Sequence, residues 1–204
     1  MDTRVQSEHS SRSRISVWGQ LAVTRVRLMA SYFKNWMYED DSCADFGGGD
    51  GFVAEEFKAE STIPMIVVDA VPDRIEAARA HGLRAIEADL CAIPLDDGTI
   101  DWGFCSHTLE HVDDPRRALA ELFRVAGRAI FFVLPIEDAK AAAANPAHVT
   151  HFEKPEGWRD LIEAAGFIVA DWWHVADPPF DAIYIAFKPD FFNGEWIAPI
   201  QVTE

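Results

Sequence analysis

The sequence predicts an α/β fold, a doubly wound and mostly parallel sheet with helices on both faces. Three observations favour this fold. Short apolar runs alternate with longer helical segments from residue 43 onward, several runs lack the polar residues of a half-exposed strand, and proline, glycine or acidic residues separate the segments. Alternating strands and helices of this kind join parallel strands through right-handed crossovers.

The strands are recognised as short apolar runs bounded by turn residues. In chain order they are predicted at 43–46, 64–69, 83–88, 100–106, 129–134, 167–174 and 182–188. The second run is apolar until its closing acid and the fifth is apolar throughout, which is typical of buried parallel strands. No helix separates the last two strands, so we expect them to form a hairpin at the sheet edge.

The helices between the strands are marked by the residues at their ends. The first is predicted over 52–58, and the second opens at Pro72 and closes at Gly82. The third begins at Asp113-Asp114-Pro115, an acidic cap before a first-turn proline. The fourth runs from Pro155 to Gly166. The long connection that precedes it holds an alanine run and two histidines.

The chain divides into a polar leader at 1–15, a single domain at 16–190 and an aromatic tail at 191–204. The Ser-rich leader is predicted to be disordered. Residues 16–38 carry apolar side chains near helical spacing, which predicts an N-terminal helix that packs at the edge of the core and covers a ligand as a lid. For the tail, docking on the core, lining the pocket and forming a homodimer contact all stay open.

Charge and composition exclude several classes of function. The net charge is −16, and six of the 18 basic residues lie within the first 34, so the domain itself is strongly acidic. Such a surface repels phosphate backbones, and we expect no nucleic-acid partner. No apolar run reaches the length of a membrane span. The three cysteines form no C-x-x-C pair, which predicts reduced thiols and a cytoplasmic location.

A glycine-rich segment, Ala44-Asp45-Phe46-Gly47-Gly48-Gly49-Asp50-Gly51-Phe52, overlaps the first strand. Its glycines allow a sharp turn and let a ligand approach backbone N–H groups. A tight turn, a dinucleotide and S-adenosylmethionine (SAM) are the three interpretations. A dinucleotide fingerprint needs a third glycine where this chain has Phe52. The spacing is instead D-x-G-x-G-x-G, beginning at Asp45.

Acidic residues close the next two strands as well. Because ligands bind beyond the carboxyl ends of parallel strands, these acids should meet the glycine loop. Asp69 can accept hydrogen bonds from both hydroxyls of a ribose. Asp89 can accept from an adenine amino group, while Leu90 offers apolar contact to the ring. Three acids at three successive strand ends favour a ligand that contains a nucleoside.

From about Ser42 to Gly166 the chain resembles the class I SAM-dependent methyltransferases, in the group called methyltransferase type 11. The motifs are D-F-G-G-G-D-G, V-V-D-A, E-A-D-L-C-A-I-P, S-H-T-L-E-H-V-D-D-P and E-A-A-G-F. The resemblance implies a Rossmann-like seven-stranded sheet with an antiparallel last strand, SAM as cofactor and S-adenosylhomocysteine (SAH) as product. The cofactor-binding residues it assigns are Asp45, Gly47, Gly48, Gly49, Gly51, Asp69, Ala70, Asp89, Leu90 and Ser106.

Histidines near the strand ends supply candidates for a catalytic base. An oxygen acceptor must lose its proton, and imidazole suits that task near neutral pH. His107, after the fourth strand, is the first candidate and His151, after the fifth, is the second. His111 is equally well explained as a hydrogen-bonded partner of Glu110. The His-x-x-His spacing of 148–151 fits a metal site on a helix, but this segment has the character of a loop, so no metal is expected.

The leading hypothesis is therefore SAM-dependent methyl transfer to a small-molecule acceptor, at oxygen first and at nitrogen or carbon next. The alternative is a non-catalytic SAM-binding subunit that supports a partner protein. An NAD-dependent oxidoreductase is disfavoured by Asp45 and Phe52.

Overall fold

The computed structural model describes residues 36–175 and 181–191. In this part of the chain one seven-stranded sheet has the order β3-β2-β1-β4-β5-β7-β6. The strands are β1 (Cys43–Phe46), β2 (Met65–Asp69), β3 (Ala85–Glu87), β4 (Ile100–Ser106), β5 (Ala126–Pro135), β6 (Ile168–Val175) and β7 (Asp181–Phe187).

The helices follow the strands in the predicted alternation. Within 36–175 and 181–191 they are α1 (Phe52–Glu60), α2 (Pro72–Ala80), α3 (Pro115–Val125), α4 (Ala139–Ala144) and α5 (Pro155–Ala164), and a 3₁₀ turn spans Leu109–His111. Pro72, Pro115 and Pro155 each open their helix, where the missing N–H has no intrahelical partner to lose. The Asp114 side chain caps α3 by accepting from the Arg117 N–H.

Strand directions confirm the predicted fold class. The pairs β3–β2, β2–β1, β1–β4 and β4–β5 are parallel, whereas β7 is antiparallel to both β5 and β6. The last two strands therefore pair as expected, and β7 lies between β5 and the edge strand β6. Because β7 is antiparallel, its first residue lies at the end of the sheet where the parallel strands finish.

The core has two layers because the central strands are buried on both faces. Along β5, Ile130 and Phe132 face one cluster, which also contains Leu122 of α3 and Trp158 of α5. Phe131, between them, faces the other, together with residues of α1 and α2. This alternation explains the continuous apolar run in the sequence, since a strand covered on both sides has no polar face.

Three local differences from the predicted elements have clear causes. β3 is shorter than 83–88 because the backbone at Gly82 turns with φ 75° and Leu83 still donates to the Ala78 carbonyl. β5 starts at Ala126 because α3 passes into it without a loop. Helix α4 was not expected; the Asp138 carboxylate caps it by accepting from the two N–H groups of Lys140 and Ala141.

Both ends of the chain lie largely outside the described residues. This applies to the leader at 1–15, to most of the predicted lid helix at 16–38 and to 192–204 of the tail; residues 36–38 are not helical. Phe191, the first tail residue, packs edge-on to Trp102 at 5.7 Å between ring centroids. In the described segments no helix is long and apolar enough to cross a membrane.

Candidate active site

A cavity of about 720 Å³ opens at the carboxyl ends of β1, β2 and β4. Of the residues that the sequence assigns to cofactor or catalysis, six line it: Gly47, Asp69, Ala70, Asp89, Leu90 and His107. Gly48, Gly49 and Gly51 lie in the loop after β1, and Asp45 and Ser106 lie in β1 and β4 themselves; none of these five residues forms the cavity wall. The residues that the sequence places at the strand ends therefore predict where the cavity lies.

At two tightly packed positions, the glycine loop adopts a backbone conformation that favours glycine. Gly47 and Gly51 have φ values of 79° and 87°. A Cβ on Gly47 would overlap Thr108, and a Cβ on Gly51 would overlap Leu83. The loop thus lies directly against the turn after β4, and Gly47 presents backbone without a side chain to the cavity. Such a cradle fits the methionine end of SAM.

Asp69 connects the glycine loop to the start of α2. One carboxylate oxygen accepts from the Gly49 N–H at 2.9 Å, and the other accepts from the Val71 N–H at 2.9 Å. Each oxygen of a carboxylate has a second acceptor site. The side chain is 7% exposed and lines the cavity, so its remaining lone pairs suit two ribose hydroxyls.

Asp45 is buried beneath the loop rather than exposed in the cavity. Its exposure is 2%, and its Oδ2 accepts no hydrogen bond from the described residues. Burial, with a smaller contribution from the Asp69 charge, raises the pKa of this carboxyl to about 8. A Cβ on Gly48 would overlap Asp45 Oδ2, so the loop closes directly over the carboxyl. The neutral form of this carboxyl is favoured at pH 7, and the side chain lies beneath the glycine cradle and outside the cavity wall.

The adenine side of the predicted site is formed after β3. The Asp89 carboxylate accepts from the Cys91 N–H at 2.8 Å, which holds the acid at the start of a turn. Leu90 is 5% exposed and still contributes to the cavity wall. A carboxylate beside an apolar side chain matches the predicted adenine contacts.

His107 lines the cavity in an unusual backbone conformation. It is the one non-glycine residue in the described ranges with positive φ, at 50°. Its Nδ1 lies 3.4 Å from Glu110 Oε1, and its Nε2 lies 3.5 Å from Asp181 Oδ1. Both carboxylates are fully buried, whereas the imidazole is 26% exposed. The turn after β4 therefore holds one imidazole between two acids.

The sequence does not single out Asp181. This acid begins β7 and pairs with Pro135 at the end of β5. Because β7 is antiparallel, its first residue reaches the same sheet edge as Asp69, which ends β2. The signal in the sequence is an acid that opens an otherwise apolar strand; the strand order is needed to place it near His107.

The structure places His111 in the cavity wall and His151 outside it. His151 is exposed and is not among the residues that form the cavity wall. His111 lines the cavity, but its Nε2 lies 4.0 Å from Glu110 Oε1, too far for a hydrogen bond. The interpretation of these two residues as a hydrogen-bonded pair is therefore wrong. His111 Nδ1 instead meets the Ala147 carbonyl at 3.0 Å.

Comparison with known proteins agrees with this geometry. The family model described as Methyltransferase domain matches residues 44–132. An uncharacterised 37.1 kDa protein in a transposon of Streptomyces fradiae is 30% identical over 166 residues, covering 70% of this chain and 47% of that protein. An uncharacterised methyltransferase of Mycobacterium sp. (strain JLS) is 36% identical over 83 residues, or 40% of this chain and 32% of the relative. The chain thus spans less than half the length of these relatives.

The fold is also found among solved structures. A complex of the Trm112 methyltransferase activator of Haloferax volcanii contains a chain described as a methyltransferase, with a TM-score of 0.72 and 16% identity. The match covers 89% of this chain and 94% of that one. At this identity the likeness concerns the fold.

Proposed function

Because the chain belongs to the class I SAM-dependent methyltransferases, we propose that it transfers a methyl group from SAM to an oxygen atom of a small-molecule acceptor. The observation that carries the proposal is the position of His107. Its imidazole lines the cavity beside the glycine loop and lies between two fully buried carboxylates. That arrangement suits a general base.

The residues that would hold SAM lie at the carboxyl ends of the first four strands. The backbone of Gly47–Gly51 would receive the methionine part, with Ser106 beside it, and Asp69 would bind the ribose. Asp89 and Leu90 would contact the adenine. Asp69 is pre-oriented for this task because its two hydrogen bonds to Gly49 and Val71 fix the plane of the carboxylate.

When bound, SAM supplies an electrophilic methyl group and leaves as SAH. The protein's part is to align the acceptor, exclude water and remove the acceptor's proton. His107 would take that proton from the acceptor hydroxyl. Glu110 and Asp181 would then stabilise the imidazolium that forms, as buried carboxylates beside a catalytic histidine do.

Two features favour a small molecule that reacts at oxygen. The cavity volume is within the range of small-ligand sites, and a basic imidazole is most useful where a hydroxyl has to be deprotonated. The strongly acidic chain disfavours nucleic-acid acceptors. Three free cysteines are consistent with a reducing compartment such as the cytoplasm.

The test is methyl transfer from labelled SAM to a panel of phenols, catechols and hydroxy acids. We expect the wild-type chain to label at least one acceptor, and His107→Gln to lose about 10²–10⁴-fold in turnover with unchanged affinity for SAH. Full turnover by the variant would remove His107 from the mechanism. SAH binding without turnover on any acceptor would instead favour the non-catalytic subunit.

A further inference from the structure

A cluster of one glutamate and two histidines lies beside the acceptor end of the cavity. Glu110 and His111 belong to the 3₁₀ turn after β4, and His148 lies in the connection after β5. One ligand atom from each of these side chains lies within 4.8 Å of the other two. We propose that Glu110, His111 and His148 bind a first-row divalent transition-metal ion.

Backbone hydrogen bonds fix the two segments against each other. The Glu110 carbonyl accepts from the Val149 N–H at 2.8 Å and from the Thr150 N–H at 3.2 Å. The His111 ring meets the carbonyl of Ala147, next to His148, at 3.0 Å. The three candidate ligands are thus brought together by the fold and do not depend on a flexible loop closing.

Both imidazoles are oriented as metal ligands usually are. His148 Nδ1 lies 2.7 Å from Glu137 Oε2, and His111 Nδ1 lies 3.0 Å from a backbone carbonyl. These acceptors place the proton on Nδ1 of each ring, which leaves Nε2 to coordinate. A carboxylate or carbonyl behind a histidine ligand fixes its tautomer and raises its basicity.

Glu110 supplies the charge that such a site needs. Its side chain is fully buried, and neither carboxylate oxygen accepts a hydrogen bond from the described residues. A buried carboxylate is costly unless it is paired or coordinates a metal. The His107 ring lies 3.4 Å from this carboxylate and carries a charge only when it is protonated. A divalent ion would neutralise the carboxylate in either state of that ring, and Asp181 would remain as the anion that faces a His107 imidazolium.

Metal binding requires the three ligand side chains to move closer together and Asn145 to leave His148. Ligand atoms around a tetrahedral zinc ion are separated by about 3.3 Å, so the three side chains must draw together. At present the Asn145 amide lies 2.8 Å from His148 Nε2, where it donates to the lone pair that a metal would take. The ion would therefore displace Asn145, and removing this amide should not weaken metal binding.

The composition of the cluster selects the ion. Two imidazoles and one carboxylate are typical of Zn²⁺ and related transition-metal ions, whereas Mg²⁺ prefers oxygen ligands and waters. Three protein ligands leave coordination positions open. His111 and His107 both line the cavity, so an acceptor hydroxyl bound at an open position would lie next to the base, a role that rests on the proposed function.

The experiment measures Zn²⁺ binding by equilibrium dialysis of the metal-stripped full chain, without SAM or acceptor. We expect one Zn²⁺ per chain, about 100-fold weaker or undetectable binding in His111→Ala and His148→Ala, and a 10–100-fold loss in Glu137→Gln. His151→Ala is the matched control, because this exposed histidine of the same connection lies outside the cluster; it and Asn145→Ala should bind at least as well as wild type.

Circular dichroism checks that each variant is folded. Substoichiometric Zn²⁺ binding by folded wild type, equal binding by the His111 and His148 variants, or a loss in His151→Ala would overturn the metal site. So would Mg²⁺ binding at this cluster with the affinity of Zn²⁺. A separate titration with SAH keeps this outcome apart from failure of the methyltransferase proposal, since a folded chain that binds SAH but no Zn²⁺ contradicts only the metal site.

Discussion

The Asp69 carboxylate accepts a hydrogen bond from the Gly49 backbone N–H at 2.9 Å, across two neighbouring strand ends. This contact joins the acid proposed to bind ribose to the loop proposed to bind methionine. Its other oxygen holds the start of α2 through Val71. One side chain therefore organises the half of the cavity proposed for the cofactor before any ligand is bound.

Gly47→Ala should destabilise the protein by more than its backbone strain alone. The substitution places a Cβ in a positive-φ conformation and against Thr108. Gly82→Ala is the matched control, because Gly82 has φ 75° but no atom within 4 Å of its Cβ position. Urea unfolding should show a loss of about 1–2 kcal/mol for Gly82→Ala. Gly47→Ala should lose about 1–3 kcal/mol more. Equal losses would mean that the loop does not pack on Thr108.

Asp45→Asn should change how stability depends on pH. Burial first, and Asp69 second, raise the pKa of the Asp45 carboxyl from 3.8 to about 8. The folded state then holds a proton that the unfolded state releases, so Asp45 contributes stability that is fully present below pH 3.8 and is lost as pH rises through about 8. Denaturant midpoints at pH 5 and pH 9 should therefore differ less in Asp45→Asn than in wild type. An unchanged difference would contradict the raised pKa.

Asp181→Asn should slow methyl transfer without weakening cofactor binding. The substitution keeps the size of the side chain and removes one of the two charges that face His107. We expect kcat to fall about 10–100-fold, a part of what a general base contributes. Affinity for SAH should stay within about twofold, because Asp181 lies beside His107, on the side of the cavity proposed for the acceptor. Asp190→Asn, at an exposed carboxylate beyond the same strand, should leave kcat unchanged. A loss of SAH affinity in Asp181→Asn would place this residue in the cofactor site.

Cys91 should report on ligand binding. Of the three free cysteines, Cys43 and Cys105 are buried in the sheet, whereas Cys91 is partly exposed and lines the cavity beside Leu90. Burial and the neighbouring Asp89 raise the pKa of its thiol, so labelling should be slow at neutral pH and faster in alkali.

A thiol reagent should modify one cysteine per native chain, and Cys91→Ser should abolish that reaction. SAH at ten times its Kd should slow labelling about tenfold, because only the free protein reacts. Labelling that SAH leaves unaffected would mean that the cofactor does not reach the end of β3.

The sequence predicts those strands and site residues that are determined by neighbouring residues in the chain. The ranges of β1 and β4 are confirmed, because an apolar run ends where the chain reaches the carboxyl edge of the sheet. Asp69, Asp89 and Gly47 are found in one cavity for the same reason. Helix α4 is not predicted because an alanine run next to Asn145-Pro146 fits either a helix or a loop. The structure shows that the Asp138 side chain caps the run as a helix.

The parts that the sequence misses depend on contacts between distant segments. Asp181 meets His107 because β7 enters the sheet antiparallel between β5 and β6. Glu110 and His148 are 38 positions apart and are joined through the backbone of Val149. No periodicity or spacing in the sequence predicts these contacts between distant residues.

The most direct test of the account is calorimetric titration of the full chain with SAH. Wild type should bind one SAH per chain, and Asp69→Ala should bind about 10–100-fold more weakly, since it loses charge-assisted hydrogen bonds to the ribose and its hold on Gly49. Asp73→Ala, an exposed acid on α2 four residues away, should bind as wild type does. Absence of binding by folded wild type, or unchanged affinity in Asp69→Ala, would contradict the SAM site.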